Sequence, residues 1–196
     1  MPKKTTSSPA VPERKVRADA ARNRERILEI AKEVFTRDGA SASLDEIARV
    51  AGVGPGTLYR HFPTREALIE AVYHNEVEKL AAAADRFGET MPPLEALRAW
   101  TMLFIDHVAK KVLIMPAMDT VPGGSMRLIA NSRGTIHGAF MRCVQKAIAS
   151  GDLRAETNPE DFVRTLIGVF HTTAIPGWEA SARRIVGILI EGSRAR

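Results

Sequence analysis

The stretch SLDEIARVAGVGPGTLYRHFPTREALIEAV, residues 43–72, decides the fold. It opens on Ser43-Leu44-Asp45-Glu46, a capping box. The serine hydroxyl accepts from the backbone N–H three residues on, and the glutamate reaches back to the serine N–H. Leu44, Ile47, Ala48 and Ala51 recur at helical spacing and give a short helix its inner face. Gly52 ends that helix. Pro55 suits a first helical position, where its missing N–H costs nothing, so a second short helix runs from Pro55 to Phe62. Pro63 stops it. Thr64 then caps a longer helix through Leu68, Val72 and Leu80 to about Phe87. Two short helices joined by a glycine-containing turn read as a helix-turn-helix, whose second helix can enter a DNA major groove. The N–H groups at that helix's start suit phosphate oxygens.

Upstream, Ile27, Ile30, Ala31, Val34 and Phe35 mark an amphipathic helix that begins near Ala20 and stops at Gly39. Residues 1–19 are rich in Pro, Ser, Thr and charge, which predicts a disordered basic arm. The first 26 residues hold eight Lys and Arg against three acids, equal to the whole chain's net charge of +5. Basic residues placed this way suit a polyanion, because they displace counterions from phosphates; a merely solvated tail is the other reading.

Downstream of Pro92-Pro93 the chain reads as helical to its end. Leu94, Leu97, Thr101, Phe104 and Val108 mark one helix. Residues 112–124 read as a short helix and a loop, broken by Pro116, Pro122 and Gly123-Gly124. A long helix follows over about 127–150. Asn158-Pro159-Glu160-Asp161 starts another, with a capping Asn and acids near the positive end of the helix dipole. A last helix turns Ile185, Ile188 and Leu189 inward. The expectation is an all-α protein of about nine helices: an arm (1–19), a three-helix head (20–68) and a helical body (69–196).

With 45% hydrophobic residues the chain can bury a sizeable core. No apolar run reaches the ~18 residues that suggest a membrane span, and the basic N-terminus lacks a signal peptide's apolar stretch. Cys143 is the only cysteine, which excludes an intrachain disulfide and a Cys-cluster zinc site. The five histidines show no i, i+4 pairing and no HExxH pattern, so neither metal nor other cofactor is expected. These features predict a cytoplasmic, non-enzymatic protein.

Residues 22–75, with Gly39, Ile47, Ala48, Ala51, Gly52, Val53, Gly56, Thr57, Leu58, Tyr59, His61, Phe62 and Leu68, closely resemble the DNA-binding signature of the tetracycline-repressor (TetR) family. The resemblance implies a homodimer that binds double-stranded DNA at a pseudo-palindromic operator and answers to a small-molecule effector. It implies that Thr57, Tyr59 and His61 bond phosphates and that Arg60 reaches a base edge or phosphate. Arg65 would meet phosphate at the start of the fourth helix, Arg22 would join the DNA contacts, and Ser43 would serve as cap and then contact. Gly54 departs from the hydroxyl residue common in relatives, which leaves its backbone N–H as the donor. Pro55 offers a base only an apolar surface.

In the body, Trp100, Phe104, Met115, Met118 and Met141 are bulky or adaptable apolar residues. The resemblance makes them lining for a largely apolar pocket, with His107 or His137 as polar anchor. It also places the dimer interface on the last two helices, at Phe162, Leu166, Val169, Phe170, Ile185, Ile188 and Leu189. The expected activity is that of a transcriptional regulator, a repressor released by its ligand. A DNA binder without ligand and a small helical enzyme are the alternatives; promoter binding against scrambled competitor separates them.

Overall fold

A computed structural model describes the backbone of residues 13–118, 123–169 and 176–195, with side chains from residue 18 onward except 112–118. Eight α-helices follow in order: α1 Glu13–Asp38, α2 Leu44–Val50, α3 Pro55–His61, α4 Arg65–Thr90, α5 Pro93–Met118, α6 Gly124–Ala149, α7 Pro159–Val169 and α8 Trp178–Gly192. A 3₁₀ turn, Gly39–Ser41, joins α1 to α2. No strand occurs among the described residues; one isolated bridge, Leu153 to Arg194, ties the C-terminal segment to the turn after α6.

The caps show why the helices start and stop where they do. The Ser43 hydroxyl accepts from the Glu46 N–H at 3.3 Å, and Thr64 accepts from Ala67 at 3.1 Å. Asn158 accepts from Glu160 at 2.9 Å and Asp161 at 3.3 Å. Gly52, at φ +64°, closes α2: its N–H donates to Arg49 and that of Val53 to Ala48, which satisfies carbonyls the helix leaves free. The capping box is only half formed. Glu46 turns from Ser43 and pairs with Arg37 at 2.9 Å, because that guanidinium offers a charged partner across the α1–α2 junction.

Three expectations about elements are corrected. The helix α1 starts at Glu13, within the expected arm, since residues after Pro12 are good helix formers even without an apolar face. The separate short helix after Lys111 is the end of α5. Pro116 falls in the last turn of α5, where it forfeits the hydrogen bond its N–H would have made but has only two helical residues after it, so eight helices stand among the described residues where nine were expected. The segment 119–122, expected as loop, lies outside the described residues. On α8 the inner face is Trp178, Ala182, Val186 and Ile190, while Ile185 and Ile188 point outward.

Two hydrophobic cores meet along α4. The head's core gathers Ile27, Ala31, Phe35, Ile47, Leu58, Phe62 and Leu68, and also Ile69, Val72, Tyr73 and Val77, which were expected in the body. The body's core takes Leu80, Ala83 and Ala84 of the same helix, with Trp100, Phe104, Phe140, Cys143, Phe162 and Leu166. The Trp100 indole donates to the Leu80 carbonyl at 2.8 Å, locking α5 to α4. In α4, Tyr73 donates to Ser132 of α6 at 2.9 Å, since the Ser132 proton is committed to the Ile129 carbonyl.

Phe162, Leu166 and Val169 were expected at a dimer interface, but their side chains are buried in the protomer's own core. The thin layer formed by α7 needs them to cover α6. Leu189 packs half-buried on the same core, and Phe170 lies outside the described residues. The Leu166→Ala variant therefore loses folding stability, by about 2–5 kcal/mol for a fully buried leucine. Denaturant unfolding checks this; a loss confined to dimer dissociation would return Leu166 to the interface.

Candidate functional site

The head presents α3 to solvent on a fixed base. Leu58 and Phe62 are buried against α1, α2 and α4, so the opposite face of α3 is held outward. That face carries Tyr59, 46% exposed, and Arg60, and neither side chain has a hydrogen-bond or ionic partner among the described residues. Thr57 and His61 are half-buried beside them. At the N-terminal end of α3, Gly54, Pro55 and Gly56 are exposed. A Cβ added at Gly56 would meet nothing within 4 Å, and its φ is not positive, so nothing within the protomer requires glycine there. Ser43 is exposed and serves as the α2 cap. Arg22 is exposed on α1 and paired with Asp19.

Arg65 makes contacts within the head. Its guanidinium donates to the carbonyls of Ala42, Ala40 (2.9 Å) and Gly39 (3.3 Å), and lies over the Phe35 ring at 5.2 Å. The Gly39 carbonyl already accepts from the Ala42 N–H at 3.4 Å, and the guanidinium adds a charged donor to it and to the carbonyls of Ala40 and Ala42 just past the end of α1. Arg24, which periodicity did not single out, lies over the Phe62 ring at 5.4 Å and is exposed beside the end of α3. Its sequence signal is its place among the eight basic residues of the first 26.

The expected pocket residues separate. Trp100 is fully buried, stacked on Phe104 at 5.6 Å and tilted against Phe140 at 4.9 Å, so Trp100 and Phe104 are core. Met141 packs half-buried on that core. His137 faces solvent-accessible Glu160 at 3.1 Å. The side chains of Met115 and Met118 lie outside the described residues. His107 lines a cleft of about 330 Å³ between α1, α4 and α5, at the junction of head and body. Val72, Leu80, Ala83 and Leu103 form its apolar walls, and Lys32, Glu76, Lys110 and Lys111 stand around them. Periodicity missed this cleft because its residues come from three helices on separate turns.

Burial pushes His107 down to about 4, against a weaker opposing effect of Glu76; Lys111, Lys110 and Lys32 also favour the neutral ring. Cys143 is buried in the body's core, and burial pushes its thiol up to about 11, which keeps it protonated and unreactive near neutral pH. Among the described residues no three His, Cys, Asp or Glu side chains are grouped to hold a metal, and no helix is long and apolar enough to cross a membrane.

Two outcomes follow from these positions. Replacing Arg65 by Lys keeps the charge but cannot span three carbonyls, so Arg65→Lys lowers head stability by about 1–3 kcal/mol, nearly as much as Arg65→Met. A thermal melt in which Lys restores wild-type stability would contradict the clamp. In the unfolded chain His107 titrates near its ordinary value of 6.5, above its folded value. The unfolded state therefore takes up a proton first as pH falls. Stability that is fully present above pH 6.5 is lost progressively toward pH 4, up to about 3 kcal/mol. The His107→Gln variant flattens that part of the stability–pH curve; an unchanged slope would mean another group controls it.

The comparisons agree with this geometry. The family described as "Bacterial regulatory proteins, tetR family" matches residues 27–72, the span from α1 into α4. The HTH-type transcriptional regulator UidR of Escherichia coli is 34% identical over 99 residues, which is 50% of this chain and 45% of UidR, so the match spans under half of that relative. A TetR transcription regulatory protein from Mycobacterium vanbaalenii superposes with a TM-score of 0.75 at 29% identity, covering 92% of this chain and 99% of that one. A TetR transcriptional regulator from Streptomyces coelicolor is 41% identical, covers 87% of this chain and 98% of its own, and superposes with a TM-score of 0.73. With a helix-turn-helix head, an all-helical body and a relative alike over nearly its whole length, the chain belongs to the TetR family of transcriptional regulators.

Proposed function

We propose that the protein is a homodimeric, sequence-specific DNA-binding regulator, a repressor that a small molecule releases from a pseudo-palindromic operator. The observation that carries this reading is the outward face of α3: Tyr59 and Arg60 project, without partners among the described residues, from a helix whose back is anchored in the head's core. Arg60 suits a guanine edge or a phosphate, Thr57, Tyr59 and His61 suit phosphates, and the Gly54–Gly56 end lets a DNA backbone approach the N–H groups of the helix. Arg22 and Arg24 add charge alongside. The head is residues 20–68 continued into α4, and the body is the remainder.

A dimer places two heads on half-sites about 34–36 Å apart. Its interface forms on the outer faces of α7 and α8, where Ile167, Ile185 (43%) and Ile188 (72%) are the exposed large apolar residues. Each is costly to leave in water and absent from the protomer's own core. The reading assigns no catalytic step.

Tyr59→Phe removes only a hydroxyl. It weakens operator binding by about 0.5–1.5 kcal/mol, read by fluorescence anisotropy, and leaves the melting curve unchanged. Equal affinity of the two proteins would remove Tyr59 from the contact. Ile188→Asp leaves the protomer folded and shifts it to monomer; sedimentation showing an intact dimer would place the interface elsewhere.

A further inference from the structure

The cleft between α1, α4 and α5 is distinguished by polar groups that the protein leaves without partners. Glu76 pairs through Oε2 with Lys32 at 2.7 Å, while its buried Oε1 has no hydrogen-bond partner among the described residues and stands 3.6 Å from the Lys79 ammonium; Asp106, on the rim, pairs with Arg183 of α8. Lys110 and Lys111 have no acidic partner among the described residues, although Lys111 is half-buried and burial holds its ammonium below the usual lysine range. The His107 Nε2 atom is buried and has no hydrogen-bond partner among the described residues. A half-buried cation without a counter-ion and a buried ring nitrogen without a partner both carry desolvation costs, which an anion with an acceptor oxygen offsets. The remaining wall, formed by Val72, Leu80 and Leu103, is apolar, and the volume of about 330 Å³ is that of a small-molecule site.

We propose that this cleft binds a small monocarboxylic acid, with its carboxylate between Lys111, Lys110 and His107 Nε2 and its apolar body against Val72, Leu80 and Leu103. The proposal deepens the regulator reading and rests on it only for the consequence. Lys32 and Thr36 of the site lie on the head's α1, and His107 and Lys111 lie on the body's α5. An acid held between them favours one arrangement of head and body over others, which is the differential affinity that a two-state release from DNA requires.

The test titrates octanoate and phenylacetate into the full chain by calorimetry, with octanamide, phenylacetamide and inorganic phosphate alongside. Both acids bind saturably, and each amide binds at least about tenfold more weakly because it lacks the charge. Phosphate also binds more weakly, since it leaves the apolar wall bare. Lys111→Met keeps the length of the side chain and removes the charge. Without acid its melting temperature equals or exceeds that of the wild type, because an unpaired half-buried ammonium is gone. With octanoate the wild type gains melting temperature and the variant does not. Absence of saturable binding into the millimolar range, equal binding of acid and amide, phosphate matching octanoate, or Lys111→Met responding to acid like the wild type would each overturn the proposal. So would a lower melting temperature of Lys111→Met without acid, which would mean that Lys111 already has its partner. The titration uses no DNA, so its failure is distinct from that of the Tyr59→Phe experiment.

Discussion

One continuous helix carries both cores. The first half of α4 contributes Leu68, Ile69, Val72 and Val77 to the head, and its second half contributes Leu80, Ala83 and Ala84 to the body. At 26 residues it is a rod of about 39 Å, with backbone hydrogen bonds that do not allow the two halves to turn independently. Whatever moves in the body therefore reaches the head through α4 or through the contacts that brace it. Those contacts are specific: Glu76 to Lys32 of α1, Lys79 to Glu29 of α1, Tyr73 to Ser132 of α6, and the Trp100 indole to the Leu80 carbonyl. The exposed ion pairs among them add little stability each, but they set the register of α1 on α4.

The head achieves the presentation of α3 with few parts. Leu58 and Phe62 pin one side of the helix, Gly52 turns the chain between α2 and α3, and Arg65 ties off the carbonyls at the end of α1. This last role changes how a basic residue at the start of α4 is understood. A guanidinium that satisfies three carbonyls and covers Phe35 holds the DNA-reading unit together from behind, while its charge still adds to the basic field around the head.

Electrostatics divides the molecule in a way that the composition only outlines. The excess positive charge lies in the first 26 residues, yet a second basic group arises where Lys110 and Lys111 meet the head–body junction. In sequence those two lysines resemble any solvated pair on a helix. Their meaning comes from α1 and α4 folding over them, which half-buries Lys111 beside His107.

The amino-acid sequence by itself determined the local features. Caps at Ser43, Thr64 and Asn158, the stops at Gly39 and Gly52, and the inner faces of the head helices depend on spacings of three or four residues, so they can be read along the chain. The helix-turn-helix was legible for the same reason, whereas the roles of Tyr59 and Arg60 followed from the family resemblance. Tertiary structure decided the rest. Apolar spacing identifies a buried face but not what buries it, and so Phe162 and Leu166 serve the protomer's core while Ile185 and Ile188 remain outside. Trp100 and Phe104 became core because Phe140 closes over them, and Arg65 became a clamp because the end of α1 lies within its reach. The cleft at His107 exists only where three helices distant in sequence converge, and no periodicity within one helix records which neighbours its side chains will meet.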